Sequence, residues 1–301
     1  DPGKVEAFRS MYPEVQCASS EEEVLEDESL HLIASAKITS ERGPFGLKVM
    51  DHRKHYFSDK APFTTFEQLE KAQAKVGETG LIWAVYYSER LHVEGAVYAG
   101  QLIRNGAIGR VLQVLNIAPH RLNVASRPEW FFIKKKYGGI LCDLGSHQIE
   151  QFLYYADAKD ARVMYSQVAN FNNPHYPELE DFGDALLIAD NEATLYFRVD
   201  WFTPNGMGAW GDGRTFIMGS EGSIEIRKYL DIAQDRQGDH VYLVDKEKEY
   251  HFAVHGQVGF PYFGQLIRDC LDGTETAMPQ EHTFLAAQLC LEAETQAVRI
   301  R

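Results

Sequence analysis

The sequence predicts an α/β protein in two parts: a parallel sheet within residues 1–92, then an α+β region over 93–301 built on a large, open, mainly antiparallel sheet. Two observations carry this. Up to about residue 92, short and almost continuously apolar runs alternate with helical segments, the pattern of strands covered on both faces. Beyond it, strand-like runs follow one another with turn signals between them and too little chain for crossover helices.

Each element has a local reason. Asp1-Pro2-Gly3 reads as a turn leading into a short helix over 4–12. Ser20-Glu21-Glu22-Glu23 is a capping box that opens a second helix through Leu25. Residues 30–36 form a short buried strand, and 46–53 a helix. The strand at 55–58 runs into Asp59-Lys60-Ala61-Pro62; Thr65-Phe66-Glu67-Gln68 caps a helix to about Val76. The run at 81–87 is the most apolar strand of this half. A helix over 93–105 leads through Gly106 and Gly109 into a strand at 111–117. Strands follow at 162–169, 184–189, 193–200, 214–218, 223–227, 241–245 and 249–253, and helices at 261–271 and 282–297 close the chain.

Composition sets bounds on function. The 301 residues are 45% hydrophobic and 25% charged, ordinary for a globular protein with a substantial core. A formal net charge of −14 argues against nucleic acid or an anionic membrane as the main partner. No apolar run is long enough to span a bilayer. Cys17, Cys142, Cys270 and Cys290 are widely spaced, which fits neither a disulfide framework nor a zinc site and points to reduced thiols in the cytoplasm. No histidine cluster has metal-ligand spacing on one helix, so no metal site is expected.

The chemistry concentrates in Gly138-Gly139-Ile140-Leu141-Cys142-Asp143-Leu144-Gly145-Ser146-His147. Asp143 and His147 are four apart, so on a helix they share one face, away from apolar Leu141, Ile149, Phe152 and Leu153. A carboxylate beside an imidazole tunes it for acid/base work on an alcohol or carbonyl. The plainer reading is an ion pair at helical spacing. Lys60 follows one predicted strand end and Ser88-Glu89-Arg90 another, where ligands bind in parallel α/β sheets.

Taken in order, Asp59-Lys60-Ala61-Pro62, Tyr87-Ser88-Glu89-Arg90-Leu91-His92 and the segment 138–147 resemble the Gfo/Idh/MocA oxidoreductases. Phe216-Ile217-Met218-Gly219-Ser220-Glu221-Gly222 resembles that family's late strand-turn-strand, and the segment 263–273 its penultimate helix. The resemblance implies a Rossmann-type NAD(P)-binding domain, here 1–92, followed by a substrate-binding and oligomerisation domain, 93–301. It implies hydride transfer between NAD or NADP and a hydroxyl or carbonyl of a sugar, cyclitol or related polyol. Lys60, Asp143 and His147 match the family's catalytic positions; Ser35, Asp59, Lys60 and Pro62 fall where the cofactor binds. Arg90, Trp130, Asp143, His147 and His175 are the expected substrate contacts. A homodimer or homotetramer through the large sheet is implied as well. The family's opening strand and Gly-x-Gly-x-x-Gly turn are not in these 301 residues, so a further βα unit upstream, roughly 30 residues long, is expected. Two alternatives use the same fold: an enzyme that recycles bound NAD within one turnover, and a non-catalytic sugar-binding or regulatory protein.

Overall fold

In a computed structural model the chain is described over residues 2–300. It begins with α1 (Pro2–Met11) and α2 (Glu21–Glu26), then β1 (Leu32–Ser35), α3 (Thr39–Asp51), β2 (His55–Asp59), α4 (Phe66–Thr79) and β3 (Trp83–Tyr86). The three strands form a parallel sheet in the order β1-β2-β3. Pro2 and Gly3 belong to α1 rather than to a turn, and Asp1 lies outside the described residues. Next come α5 (Ser88–Leu91), α6 (Glu94–Arg104), β4 (Val111–Pro119), α7 (Lys134–Tyr137), α8 (Ile140–Asp143) and α9 (Gly145–Ala156). The remainder is β5 (Ala161–Ala169), β6 (Phe182–Ala189), β7 (Thr194–Asp200), β8 (Arg214–Gly219), β9 (Ser223–Arg227), β10 (His240–Val244), β11 (Glu249–Ala253), α10 (Tyr262–Asp272), α11 (Gln280–Gln296) and β12 (Val298–Arg299). Strands β4 to β12 make one nine-stranded sheet, order β11-β10-β9-β8-β4-β7-β6-β5-β12. It is antiparallel except where β4 meets β7 and β5 meets β12.

Helix α3 departs most from the sequence reading, starting seven residues earlier than the predicted 46. Gly43, Pro44 and Gly46 look like breakers, yet each is accommodated by a neighbour. Proline 44 leaves the carbonyl of Ser40 without its helical partner, and Gln68 Nε2 donates to that carbonyl at 3.0 Å. A Cβ at Gly46 would fall 2.2 Å from the Trp83 ring, so glycine here lets α3 lie close on β3. The free edge of β3 is managed similarly: Trp83 N–H donates to Gln280 Oε1 at 2.7 Å. Helix α11 thus touches the first sheet as well as α8, α9 and β5 of the second layer. The cleft between these layers, at the carboxyl ends of β2 and β3, is where the chemistry collects.

Candidate active site

A cavity of about 340 Å³ opens there. Asp59 and Lys60 reach it from the end of β2, Ser88 and Glu89 from the end of β3, and Thr39 and Arg42 from the first turns of α3. Facing them are Asp143, Leu144 and His147 at the α8–α9 junction. His120, Trp201 and Tyr229 line it from just beyond the ends of β4, β7 and β9, and Arg127, Trp130 and Phe131 from the loop after β4.

The α8–α9 junction is held by its backbone. Gly138 and Gly139 adopt φ of 93° and 92°, which side chains rarely tolerate. A Cβ on Gly139 would also strike the Glu294 carboxylate at 2.1 Å. That carboxylate accepts from Leu141 N–H at 3.1 Å, and Glu180 accepts from Ile140 N–H at 3.0 Å, so two buried acids fasten the start of α8. Burial and the neighbouring Glu180 push Glu294 up to about 8, and Lys134 partly counters this. The glycine pair thus aims the helix whose last residue is Asp143.

Lys60 Nζ donates to the Asp143 main-chain oxygen at 2.6 Å and to its carboxylate at 2.5 Å. Burial alone would raise the Asp143 carboxyl; Lys60, with Arg127 and Arg42, more than offsets it and holds the group below its ordinary value. Arg42 fixes the turn that carries Lys60. It donates to the carbonyls of Lys37, at 2.8 Å, Lys60 and Ala61, and pairs with Asp59 at 3.1 Å.

His147 differs from the sequence expectation. Asp143 and His147 do face one cleft, but the carboxylate is taken by Lys60, and the acid acting on His147 is Glu89. Burial pushes the imidazole down to about 3; Glu89 opposes this, while Lys60, His120 and Lys228 add to it. The ring is therefore neutral at ordinary pH rather than poised as an imidazolium. Its Nδ1 is buried with no hydrogen-bond partner. Glu89 is itself 2% exposed and stays ionised. Burial would raise it, but Lys228 Nζ at 2.8 Å, with His147 and His120, holds it well below its usual range.

The remaining predicted residues divide. Trp130 lines the cavity. Ser35 lies at the end of β1, its hydroxyl accepting from Lys37 N–H at 3.2 Å, and Pro62 is buried in the turn beyond β2; neither lines the cavity. His175 is exposed on the β5–β6 loop and does not line this cavity. Arg90 is also outside it. Its guanidinium grips Glu150 with Nε at 2.7 and 3.0 Å from the two carboxylate oxygens, beneath Tyr154. Arg90 thus forms a buried ion pair, since a buried Glu150 needs a counter-charge. Glu89, His120, Arg127 and Lys228 were not picked out by sequence. Only the strand-end position of Glu89 signalled it, and the reading there favoured its neighbour Arg90. One further acidic group, Glu94, Asp239 and His255, has ligand atoms close together, but Glu94 is already satisfied by the N–H groups of Gly256, Val258 and Gly259.

Comparison with known proteins fits this geometry. The GFO/IDH/MocA C-terminal domain model matches residues 97–225. A candidate oxidoreductase from Erwinia carotovora atroseptica is 48% identical, with a TM-score of 0.96, covering 100% of this chain and 90% of that one. The chain belongs to the Gfo/Idh/MocA family. Among curated members it is similar to a scyllo-inositol 2-dehydrogenase (NAD(+)) of Bacillus subtilis, 27% identical over 82% of this chain and 70% of that one. It also resembles a D-xylose dehydrogenase of Paenarthrobacter nicotinovorans, 24% identical over 48% of this chain. That match spans only 38% of the xylose enzyme.

Arg90→Met should cost about 3–5 kcal/mol of unfolding free energy in urea, by leaving Glu150 buried and unpaired. A variant of normal stability that only binds substrate more weakly would return Arg90 to the substrate site.

Proposed function

We propose that this chain acts as an NAD(P)-dependent oxidoreductase on a hydroxyl or carbonyl of a sugar, cyclitol or related polyol. The observation that carries the reading is a neutral, buried imidazole beside a lysine at the carboxyl end of a parallel strand, in one cavity. The named dehydrogenases among its relatives support the same class. In this reading residues 1–92 belong to the dinucleotide domain and 93–301 bind substrate.

The residues at the strand ends suit the nicotinamide end of the cofactor. Thr39 supplies a hydroxyl, and Arg42 and Lys60 supply N–H donors, beside a cleft that opens beyond β2. Asp59 would share that edge, with Ser35 and Pro62 shaping its turns. A bound nicotinamide supplies the site for the hydride. In the oxidative direction the neutral His147 accepts the proton of the substrate hydroxyl, a role closed to an imidazolium. Lys60 donates a hydrogen bond to the same oxygen and stabilises its developing negative charge. Asp143 holds Lys60 in place and accepts from a neighbouring hydroxyl. Trp130 offers an aromatic face to the sugar ring.

His147→Ala should lower kcat by about 10²–10⁴ in a nicotinamide absorbance assay. The unaltered enzyme should show no loss of kcat/KM on lowering the pH through 6.5, the ordinary histidine value, since His147 is pushed well below it. Near-normal turnover by the variant would remove His147 from the mechanism.

The uncovered face of the large sheet supports a homodimer or homotetramer. Register places Phe216, Leu115, Tyr196, Leu186 and Tyr165 side by side across five strands, and Phe216 and Met218 are 37% and 50% exposed. An apolar row of this length suits a second copy. Light scattering should find a dimer or tetramer that Phe216→Glu converts to smaller species; a monomeric parent protein would contradict the assembly. No helix among the described residues is long and apolar enough to cross a membrane. The four free cysteines fit a cytoplasmic setting.

A further inference from the structure

Arg127 lines the cavity opposite the strand ends and is not used by the chemistry above. Its Nε donates to the Leu122 carbonyl at 3.0 Å. Its guanidinium carbon lies 4.3 Å from the Phe131 ring centre, 4.8 Å from that of Trp201 and 5.3 Å from that of Trp210. Three aromatic rings and one carbonyl fix the group. Yet Nη2 is buried with no hydrogen-bond partner, and among the described residues no carboxylate lies within ion-pair distance of it.

The charges around the cavity make this informative. Arg42 is matched by Asp59, Lys60 by Asp143, and Glu89 by Lys228. Both cavity histidines, His120 and His147, are pushed down by burial and carry no charge at neutral pH. Arg127 thus has no ion-pair partner of its own, Asp143 acting on it only through space, and it is held rigid in a wall of aromatic rings. A buried guanidinium edge without partners is costly, and a planar anion with two acceptor oxygens is its natural complement. One cation without an ion-pair partner suits a monoanion better than a phosphate dianion, which would need a second cation.

We infer that Arg127 binds a carboxylate on the substrate, so that the preferred substrates are sugar acids rather than neutral sugars. This rests on the oxidoreductase reading for the identity of the site, but the binding itself is independent of turnover. The aromatic rings set the guanidinium plane, and the carboxylate lies along the free Nη edge. The carbon that reacts then sits toward Lys60 and His147.

The test uses the cofactor-loaded enzyme with D-galacturonate and D-glucuronate against D-galactose and D-glucose. Calorimetric binding should favour the uronates by roughly 100-fold, the worth of a bidentate charge-assisted contact. In Arg127→Gln that preference should fall to near unity, through weaker uronate binding. Arg127→Lys, which keeps the charge but loses the planar fork, should restore part of it. Equal binding of uronates and neutral sugars by the unaltered enzyme would overturn the assignment. So would a preference that survives Arg127→Gln. Arginine-dependent uronate binding with no change in nicotinamide absorbance would support the carboxylate site while sinking the redox reading. Fast oxidation of neutral sugars with no uronate binding would do the reverse.

Discussion

The contact between Lys60 and Asp143 is the constraint on which the site depends. One partner leaves the end of a parallel strand; the other ends a short helix lying on the large sheet. Both side chains are about 15% exposed, so each charge has lost most of its water and needs the other. Two more buried pairs repeat the pattern. Glu89 and Arg90, just beyond β3, meet Lys228 and Glu150 from the second layer. The carboxyl ends of the first sheet are thus joined to the second layer by charges that cannot be left unpaired. Such pairs add little net stability over a well-packed apolar contact, but they penalise any other docking of the layers.

The same burial that makes the pairs necessary sets the proton chemistry. His147 is neutral because it is buried among groups whose charges largely cancel. Glu89 pulls toward protonation, while Lys60, His120 and Lys228 push against it together with desolvation. A neutral base beside a fixed ammonium is suited to taking a proton from an alcohol whose oxygen is becoming anionic. No single motif residue has this property alone; it comes from the two layers meeting.

Much of this was legible in the sequence, for identifiable reasons. Strong periodicity and turn residues marked β9 and β11 at their observed limits and most other strands within a residue or two. Lys60, Asp143 and His147 were visible because they sit at a strand end or at helical spacing. Helix α3 was shortened because Gly43, Pro44 and Gly46 break helices on their own, and the compensating Gln68 and Trp83 lie far along the chain. Arg127 and Lys228 could not be found by spacing, since a loop arginine and a strand-end lysine acquire meaning only from what the fold brings beside them. The pairing of Asp143 with Lys60 instead of His147 is also tertiary: Asp143 ends α8 and His147 lies in α9, and which residue the carboxylate meets is decided by the opposing layer.

The most direct measurement is a double-mutant cycle on the unfolding free energy of Lys60→Met, Asp143→Asn and the two combined. The account predicts that the double variant is more stable than the sum of the single losses implies, with a coupling of roughly 0.5–3 kcal/mol, because removing one charge strands the other. Additive losses would mean that the two layers are not held at the site by this pair, and the geometry assigned to His147 would lose its support.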